Sequence, residues 1–268
     1  MKVFNDYDFL AEYSRPEQSL PAHLRLALTV IESLGVKTVL DIGGGSNSYV
    51  DFLGEEYEAV IVDMSEKSLS KVKAKEKKVG TLPAIPIDRS FDFVSALEVL
   101  EHLDPGDYQD SLKEIFRLSN RFIFITSPFL QDLSGAFALC DKCRVEFQCE
   151  GHWRSFDFKK IFGLQAYLGG LRDIYFCGPS RGGYTFFAFN TNLKKMVRRV
   201  LQKSVKVKYC RPPFTKCPEC GHEMFHNYDE YLNRESSLGC PQGWWKRDDS
   251  RMVSEKFGAL YDKNAFFK

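Results

Sequence analysis

The sequence predicts an α/β fold: a mostly parallel sheet with helices on both faces. Three observations predict it. Residues 36–42 and 58–63 are largely apolar runs with an acid at or beside the end, the pattern of strands buried on both faces. Polar or amphipathic helical stretches alternate with these runs and with two more at residues 91–97 and 121–126. Gly43-Gly44-Gly45 follows the first run at once, where a strand must hand over to a helix.

The elements follow in order. Residues 6–33 read as helical, with Leu24, Leu26, Leu28 and Ile31 continuing to Leu34 as an apolar face; Pro16 and Pro21 divide the stretch in two. After the first strand, residues 47–53 read as a helix start. The lysine-rich residues 65–77 read as a solvent-facing helix, and residues 108–119 as another. Residues 174–177 and 184–190 read as a closing strand pair with Gly178, Gly182 and Gly183 in the turn. Three regions result: a helical lid at 1–35, a ligand-binding domain at 36–190 with an insertion at about 136–158, and a basic helix with a cysteine-bearing tail at 191–268.

Bulk properties exclude several classes. A formal net charge of +1 gives no global attraction for nucleic acid. No apolar stretch reaches the ~20 residues that span a bilayer. The acidic start, residues 1–13, is not a secretory signal, so the cytoplasm is the expected compartment. The basic helix at 194–208 is a solvated face, with peripheral contact to a membrane surface or an anionic acceptor as the alternative.

The glycine turn narrows the ligand. A phosphate-binding loop needs Gly-Lys-Ser/Thr after a longer spacer, which is absent. A nicotinamide fingerprint wants glycine or alanine where Ser48 stands. Asp41, at the end of the strand that leads into the glycines, suits a ligand with a positive amino group, and Asp63 at the end of the next strand suits two ribose hydroxyls. S-adenosylmethionine (SAM) carries both.

Val39-Leu40-Asp41-Ile42-Gly43-Gly44-Gly45, Val62-Asp63, Ser90-Phe91-Asp92-Phe93-Val94 and Glu98-Val99-Leu100-Glu101-His102-Leu103 together resemble the class I SAM-dependent methyltransferases of the small-molecule type. The resemblance covers roughly residues 36–190. It implies a Rossmann-like, seven-stranded, mostly parallel sheet whose last strand runs antiparallel, with a cofactor over the carboxyl ends of the first strands. Asp41, Gly43, Gly44, Gly45, Asp63, Met64 and Glu98 are the expected cofactor contacts. Gly80-Thr81-Leu82 departs from the Gly-Asp-Ala common in relatives, so the adenine contact is unassigned.

Cysteine spacing predicts two structural zinc sites. Cys140-x-x-Cys143 with Cys149 and His152 forms one closed set, and Cys217-x-x-Cys220 with Cys240 and Cys210 forms the other. His222 and His226 are alternatives to Cys210. The stretch around the first set resembles an insertion in some of these methyltransferases, Cys-x-x-Cys, Phe-His, then Gly-His-x-Arg-Ser-Phe; here Gln148 stands in place of the Phe-His histidine. A tail this short scarcely builds a core, so a zinc-ribbon-like fold held by metal is expected. Cys177 reads as a core residue.

For methyl transfer to a hydroxyl, a base must take the proton. His102 is the first candidate, with Glu98 beside cofactor or substrate; Arg154 is a candidate anion contact, and Tyr7 and Tyr13 are candidate lid residues. The expected function is O-methylation of a small-molecule or sugar (glycan) acceptor. The alternatives are an RNA methyltransferase that grips substrate with its zinc tail, and a non-catalytic zinc adaptor.

Overall fold

The computed structural model describes residues 1–13, 22–46, 48–128, 131, 133–157, 159–160, 163–164 and 211–227. Two helices, α1 (Tyr7–Tyr13) and α2 (Ala22–Leu34), precede the sheet, and Asp6 caps α1 by accepting from the Phe9 amide at 2.9 Å. Pro16 and Pro21, expected to separate them, lie outside the described residues.

Five parallel strands form one sheet: β1 (Thr38–Ile42), β2 (Glu58–Asp63), β3 (Glu76–Val79), β4 (Phe91–Leu97) and β5 (Ser119–Thr126), in the spatial order β3-β2-β1-β4-β5. The order reverses between β1 and β4, so a crevice opens at the carboxyl ends of these strands. The two further strands expected at 174–177 and 184–190 fall outside the described residues, as do Cys177 and the basic helix.

Strand alternation builds both faces. Leu40, Ile42, Val60, Val62, Val94 and Ala96 turn to one side, where α4 (Tyr108–Arg117) contributes Leu112 and Ile115. Val39 and Phe93 turn to the other, where α2 contributes Ala27, Val30 and Ile31. All of these are buried.

Two local readings are corrected. Residues 47–53 do not begin an α-helix; Tyr49–Phe52 is a single 3-10 turn, capped by the Ser48 hydroxyl, which accepts from the Val50 amide. The expected helix over 65–77 stops early: α3 is Glu66–Lys71, and β3 follows as an edge strand. Asp51 ends α3 by accepting from the Lys73 and Ala74 amides at 2.8 and 3.0 Å. Lys77 then donates to the Leu69 and Val72 carbonyls, a cation at a helix C-terminus.

A second, smaller unit sits beside the crevice. Hairpin β6 (Phe137–Leu139) and β7 (Glu146–Gln148) forms the insertion, and hairpin β8 (Thr215–Lys216) and β9 (Glu223–Met224) belongs to the tail. The N-terminus pairs with β7 through Phe4 N to Gln148 O and Gln148 N to Lys2 O, both 2.9 Å. Phe4, Phe9, Ala138, Phe147 and Met224 make a shared core with the cysteines. Ion pairs Lys2–Glu219 and Lys216–Asp6 tie the tail to the N-terminus. No helix among the described residues is long and apolar enough to cross a membrane.

Candidate functional site

The glycine turn lies at the carboxyl end of β1. Gly43 and Gly45 have φ of +73° and +59°, a region L side chains rarely adopt. A Cβ on Gly44 would stand 2.4 Å from Asp41 Oδ2, so the turn passes against its own acid. The Gly43 amide donates to the Val62 carbonyl at 2.7 Å, drawing the turn onto β2.

Asp41 does not face the crevice as the sequence suggested. It is 1% exposed. Ser48 Oγ donates to its Oδ2 and Ser95 Oγ to its Oδ1, each at 2.6 Å, and Tyr49 Oη lies 2.6 Å from Ser95 Oγ. Direct contact with a ligand would need exposure, so the carboxylate braces the turn from beneath. Burial pushes it up to about 6, against the pull of the two serine hydroxyls.

Asp63 stands where expected, at the end of β2. Its Oδ2 accepts from the Gly45 amide and its Oδ1 from the Ser65 amide, both at 2.8 Å. Each oxygen keeps lone-pair capacity for another donor. Burial raises its pKa, opposed by the Ser65 and Gly45 amides. Met64 beside it is 52% exposed. It lines an open cleft of ≈ 330 Å³ with Asn5, Asp6, Tyr7, Asp8 and Ser65. The first turn of α1 is joined to this wall by Ser65 Oγ donating to Asp8 Oδ1 and by the Lys67–Glu12 ion pair at 2.6 Å. Tyr13's side chain lies outside the described set.

Glu98 follows β4 with φ of +55°, a strained backbone for glutamate, held by its amide donating to the Thr126 carbonyl at 3.0 Å. Glu101, His102 and His152 come together next to it. One ligand atom from each lies within 4.8 Å of the others. The two imidazoles meet edge to face with centroids 4.6 Å apart, and Tyr7 meets His102 the same way at 5.8 Å. Glu101 is raised to about 8, by burial first and by the Glu98 charge second. His102 and His152 are both lowered to about 4 by burial, so each is neutral near pH 7.

Spacing along the chain groups His152 with the cysteines, but in the fold its partner is His102. Glu101-His102 and Gly151-His152-Trp153-Arg154 are two segments zipped together by the tertiary fold. The Trp153 amide donates to the Glu101 carbonyl at 2.8 Å, and Arg154 Nη1 donates to the Leu100 carbonyl. Arg154 also lies 4.0 Å above the Tyr108 ring, so its guanidinium is a brace for this junction. Gly151, with φ of +79°, lets the segments touch; a Cβ there would lie 2.9 Å from His102 Nδ1 and 3.0 Å from the Phe4 carbonyl.

The cysteines assemble differently from the prediction. Cys140, Cys143, Cys217 and Cys220 converge on one point, with each sulfur within 4.8 Å of the others. Cys140 and Cys220 sulfurs are 3.7 Å apart, and Cys143 and Cys217 sulfurs 3.6 Å. The two Cys-x-x-Cys pairs are therefore halves of one site. Cys149 is not a member: its sulfur donates to the Ala136 carbonyl at 3.1 Å. His152 is not either: its Nδ1 is 2.7 Å from Gln131 Oε1, and Gln148 Oε1 accepts from its amide. His222 and His226 are likewise outside the four-sulfur group, and Cys210 and Cys240 lie outside the described residues.

Residues 40–121 match the family described as Methyltransferase domain. No curated protein is significantly similar to the chain. Among solved structures, it is similar to a SAM-dependent methyltransferase from Archaeoglobus fulgidus, at 22% identity over 72% of this chain and 94% of that one, with a TM-score of 0.45. It is similar to another SAM-dependent methyltransferase from Clostridium acetobutylicum ATCC 824, at 14% identity over 64% of this chain and 88% of that one, TM-score 0.45. A third is the N-methyltransferase NodS from Bradyrhizobium japonicum WM9 in complex with S-adenosyl-L-homocysteine, at 13% identity, 45% and 72% coverage, TM-score 0.38.

Proposed function

We propose that this chain, whose residues 40–121 match the Methyltransferase domain family, is a class I SAM-dependent methyltransferase that methylates a hydroxyl oxygen of a small-molecule or sugar acceptor. The observation that carries this reading is the meeting of three features at the carboxyl ends of β1, β2 and β4. These are the glycine turn, the Asp63 carboxylate and the Glu98–His102 turn with its two neutral imidazoles.

The crevice fits the cofactor. Gly43 and Gly45 present a turn without side chains, and a Cβ at Gly44 would collide with Asp41. Asp63 would accept from the ribose hydroxyls with the lone pairs its two backbone bonds leave free, and Met64 offers an apolar wall beside it. Glu98 would accept from the amino group, the part the buried Asp41 cannot reach. When bound, SAM supplies a methyl group already activated on a sulfonium. The protein's contribution is to line up the acceptor oxygen and exclude water. His102 faces this end of the sheet as a neutral imidazole that would accept a hydrogen bond from the acceptor hydroxyl; burial, which lowers it to about 4, makes it a weak base.

The four cysteines would hold one structural zinc ion. Zinc–sulfur bonds of ~2.3 Å in a tetrahedron place sulfurs ~3.8 Å apart. The 3.6 and 3.7 Å separations match that edge and are far too long for a disulfide. Four thiolates leave no open position for catalysis, so its role is to clamp the tail and N-terminus beside the crevice.

Isothermal calorimetry with SAM and with S-adenosyl-L-homocysteine tests the enzymatic reading. Both should bind, and Asp63→Asn should weaken SAM binding by about tenfold or more, the loss of one charge-assisted bond of ~1.5–3 kcal/mol. No heat with either ligand, or equal affinity in the variant, would overturn it.

A further inference from the structure

We propose that Glu101, His102 and His152 form a binding site for one divalent transition-metal cation, separate from the cysteine cluster. Three ligand atoms, one from each residue, lie within 4.8 Å of one another. Ligand atoms around one ion at ~2.0–2.2 Å stand at most ~4.4 Å apart, so small side-chain rotations bring these three onto one ion.

The hydrogen bonds around the cluster set it up for a metal. His102 Nδ1 is 3.2 Å from the Gly151 carbonyl, and His152 Nδ1 is 2.7 Å from Gln131 Oε1. A carbonyl oxygen only accepts, so each Nδ1 carries the proton and each Nε2 keeps its lone pair. Donation of the far ring N–H to an oxygen is the usual support of a metal-bound histidine. Glu101 is fixed in the same way: Ser127 Oγ donates to its Oε2 at 2.7 Å. Its other oxygen, Oε1, is buried and has no hydrogen-bond partner among the described residues. A buried carboxylate oxygen without a partner is costly in a folded protein. The nearby Glu98 adds a like charge to that cost. A cation between Glu101 and the two imidazoles satisfies that oxygen and offsets the paired acids.

Two imidazoles and one carboxylate suit manganese, iron(II), cobalt or zinc better than calcium. Three protein ligands leave positions open toward the crevice. An oxygen of the acceptor would fill one of them, which would orient it and ease loss of its proton to water. His102 then serves as a ligand rather than as the free base. The site rests on side-chain geometry alone, so it stands or falls separately from methyl transfer.

Manganese(II) is the probe, because thiolates do not favour it and zinc can be left in the cysteine cluster. Full-length zinc-loaded protein is titrated with Mn2+ and the free ion followed by electron paramagnetic resonance. One Mn2+ per chain should bind, and His152→Ala and Glu101→Gln should each weaken it at least tenfold, while Cys149→Ser should not. Pulsed measurements on the unaltered protein should resolve two directly bound imidazole nitrogens, a readout that needs no variant to fold. Free Mn2+ throughout, binding indifferent to both substitutions, or no nitrogen coupling would each overturn the site.

Discussion

Arg144 and Gly221 occupy the same place in two knuckles of one cysteine site. In the first, the Cys140 amide donates to the Val145 carbonyl and the Arg144 amide to the Cys140 carbonyl, both at 3.0 Å. In the second, the Cys217 amide donates to the His222 carbonyl at 2.9 Å and the Gly221 amide to the Cys217 carbonyl at 3.0 Å. Both residues turn through left-handed backbone, with φ of 60° and 66°. One knuckle uses glycine for this turn, and the other forces an arginine into it.

The asymmetry predicts substitutions of opposite sign. Arg144→Gly should stabilise the protein by about 0.5–1 kcal/mol by removing left-handed strain. Gly221→Ala should cost about 1 kcal/mol. A Cβ there meets nothing within 4 Å, so that cost is conformational and not a clash. Denaturant unfolding of the two zinc-loaded variants measures both, and equal signs would refute the equivalence.

A single clamp predicts a single thiolate-bound metal. Cobalt substitution should give the sulfur-to-metal charge-transfer band of a four-thiolate site at one equivalent per chain. Cys217→Ser should lose it and Cys149→Ser should keep it, since Cys149 hydrogen-bonds Ala136 outside the four-sulfur group. Because Lys2 and Asp6 pair with Glu219 and Lys216, chelation should also expose the first residues to proteolysis. Two thiolate-bound equivalents would restore the two-site arrangement suggested by spacing.

What the sequence made legible was local. β1, β2 and β4 were readable because apolar runs of buried strands have few other readings, and Asp41 and Asp63 mark where two of them end. β3 was not, because Glu76, Lys77 and Lys78 carry an edge strand's charges and read as a polar helix. What stops α3 is remote: Asp51 takes the amides of Lys73 and Ala74. Each Cys-x-x-Cys announced a knuckle, but spacing is silent on which knuckle faces which, and Cys143 meets Cys217 only through the tertiary fold. The same blindness grouped His152 with nearby cysteines when its partner was His102. Position in the motif marks Asp41 as a ligand contact but does not report its depth.

Gly151 should tolerate no side chain. Alanine there meets His102 Nδ1 and the Phe4 carbonyl at 3.0 Å or less and must keep φ near +79°. The expected loss is roughly 2–4 kcal/mol, backbone strain plus overpacking. Gly45→Ala is the comparison: φ is +59° but nothing lies within 4 Å, so about 1 kcal/mol is expected. Thermal and denaturant unfolding of the two variants gives the ranking. A Gly151→Ala protein as stable as Gly45→Ala would mean that the two histidine segments do not pack as closely as described.

The buried Asp41 carboxyl makes stability depend on pH in a calculable direction. Folded, it holds its proton up to about 6, against an ordinary value of 3.8. Between these values the folded state binds more protons than the unfolded chain, so this group's contribution falls as pH rises. It is fully present below about pH 4 and lost once pH passes 6. Asn at this position can still accept from Ser48 or Ser95 and does not titrate. The stability of the parent relative to Asp41→Asn should therefore drop by about 2–3 kcal/mol from pH 4 to pH 7. Differencing the two proteins removes the other titrating groups, including the two lowered histidines, whose contribution runs the opposite way over part of the range. Urea unfolding at several pH values measures the slope. A difference that stays flat or rises would mean that Asp41 is ionised in its pocket, and the serine–tyrosine brace would then have to be holding a charge.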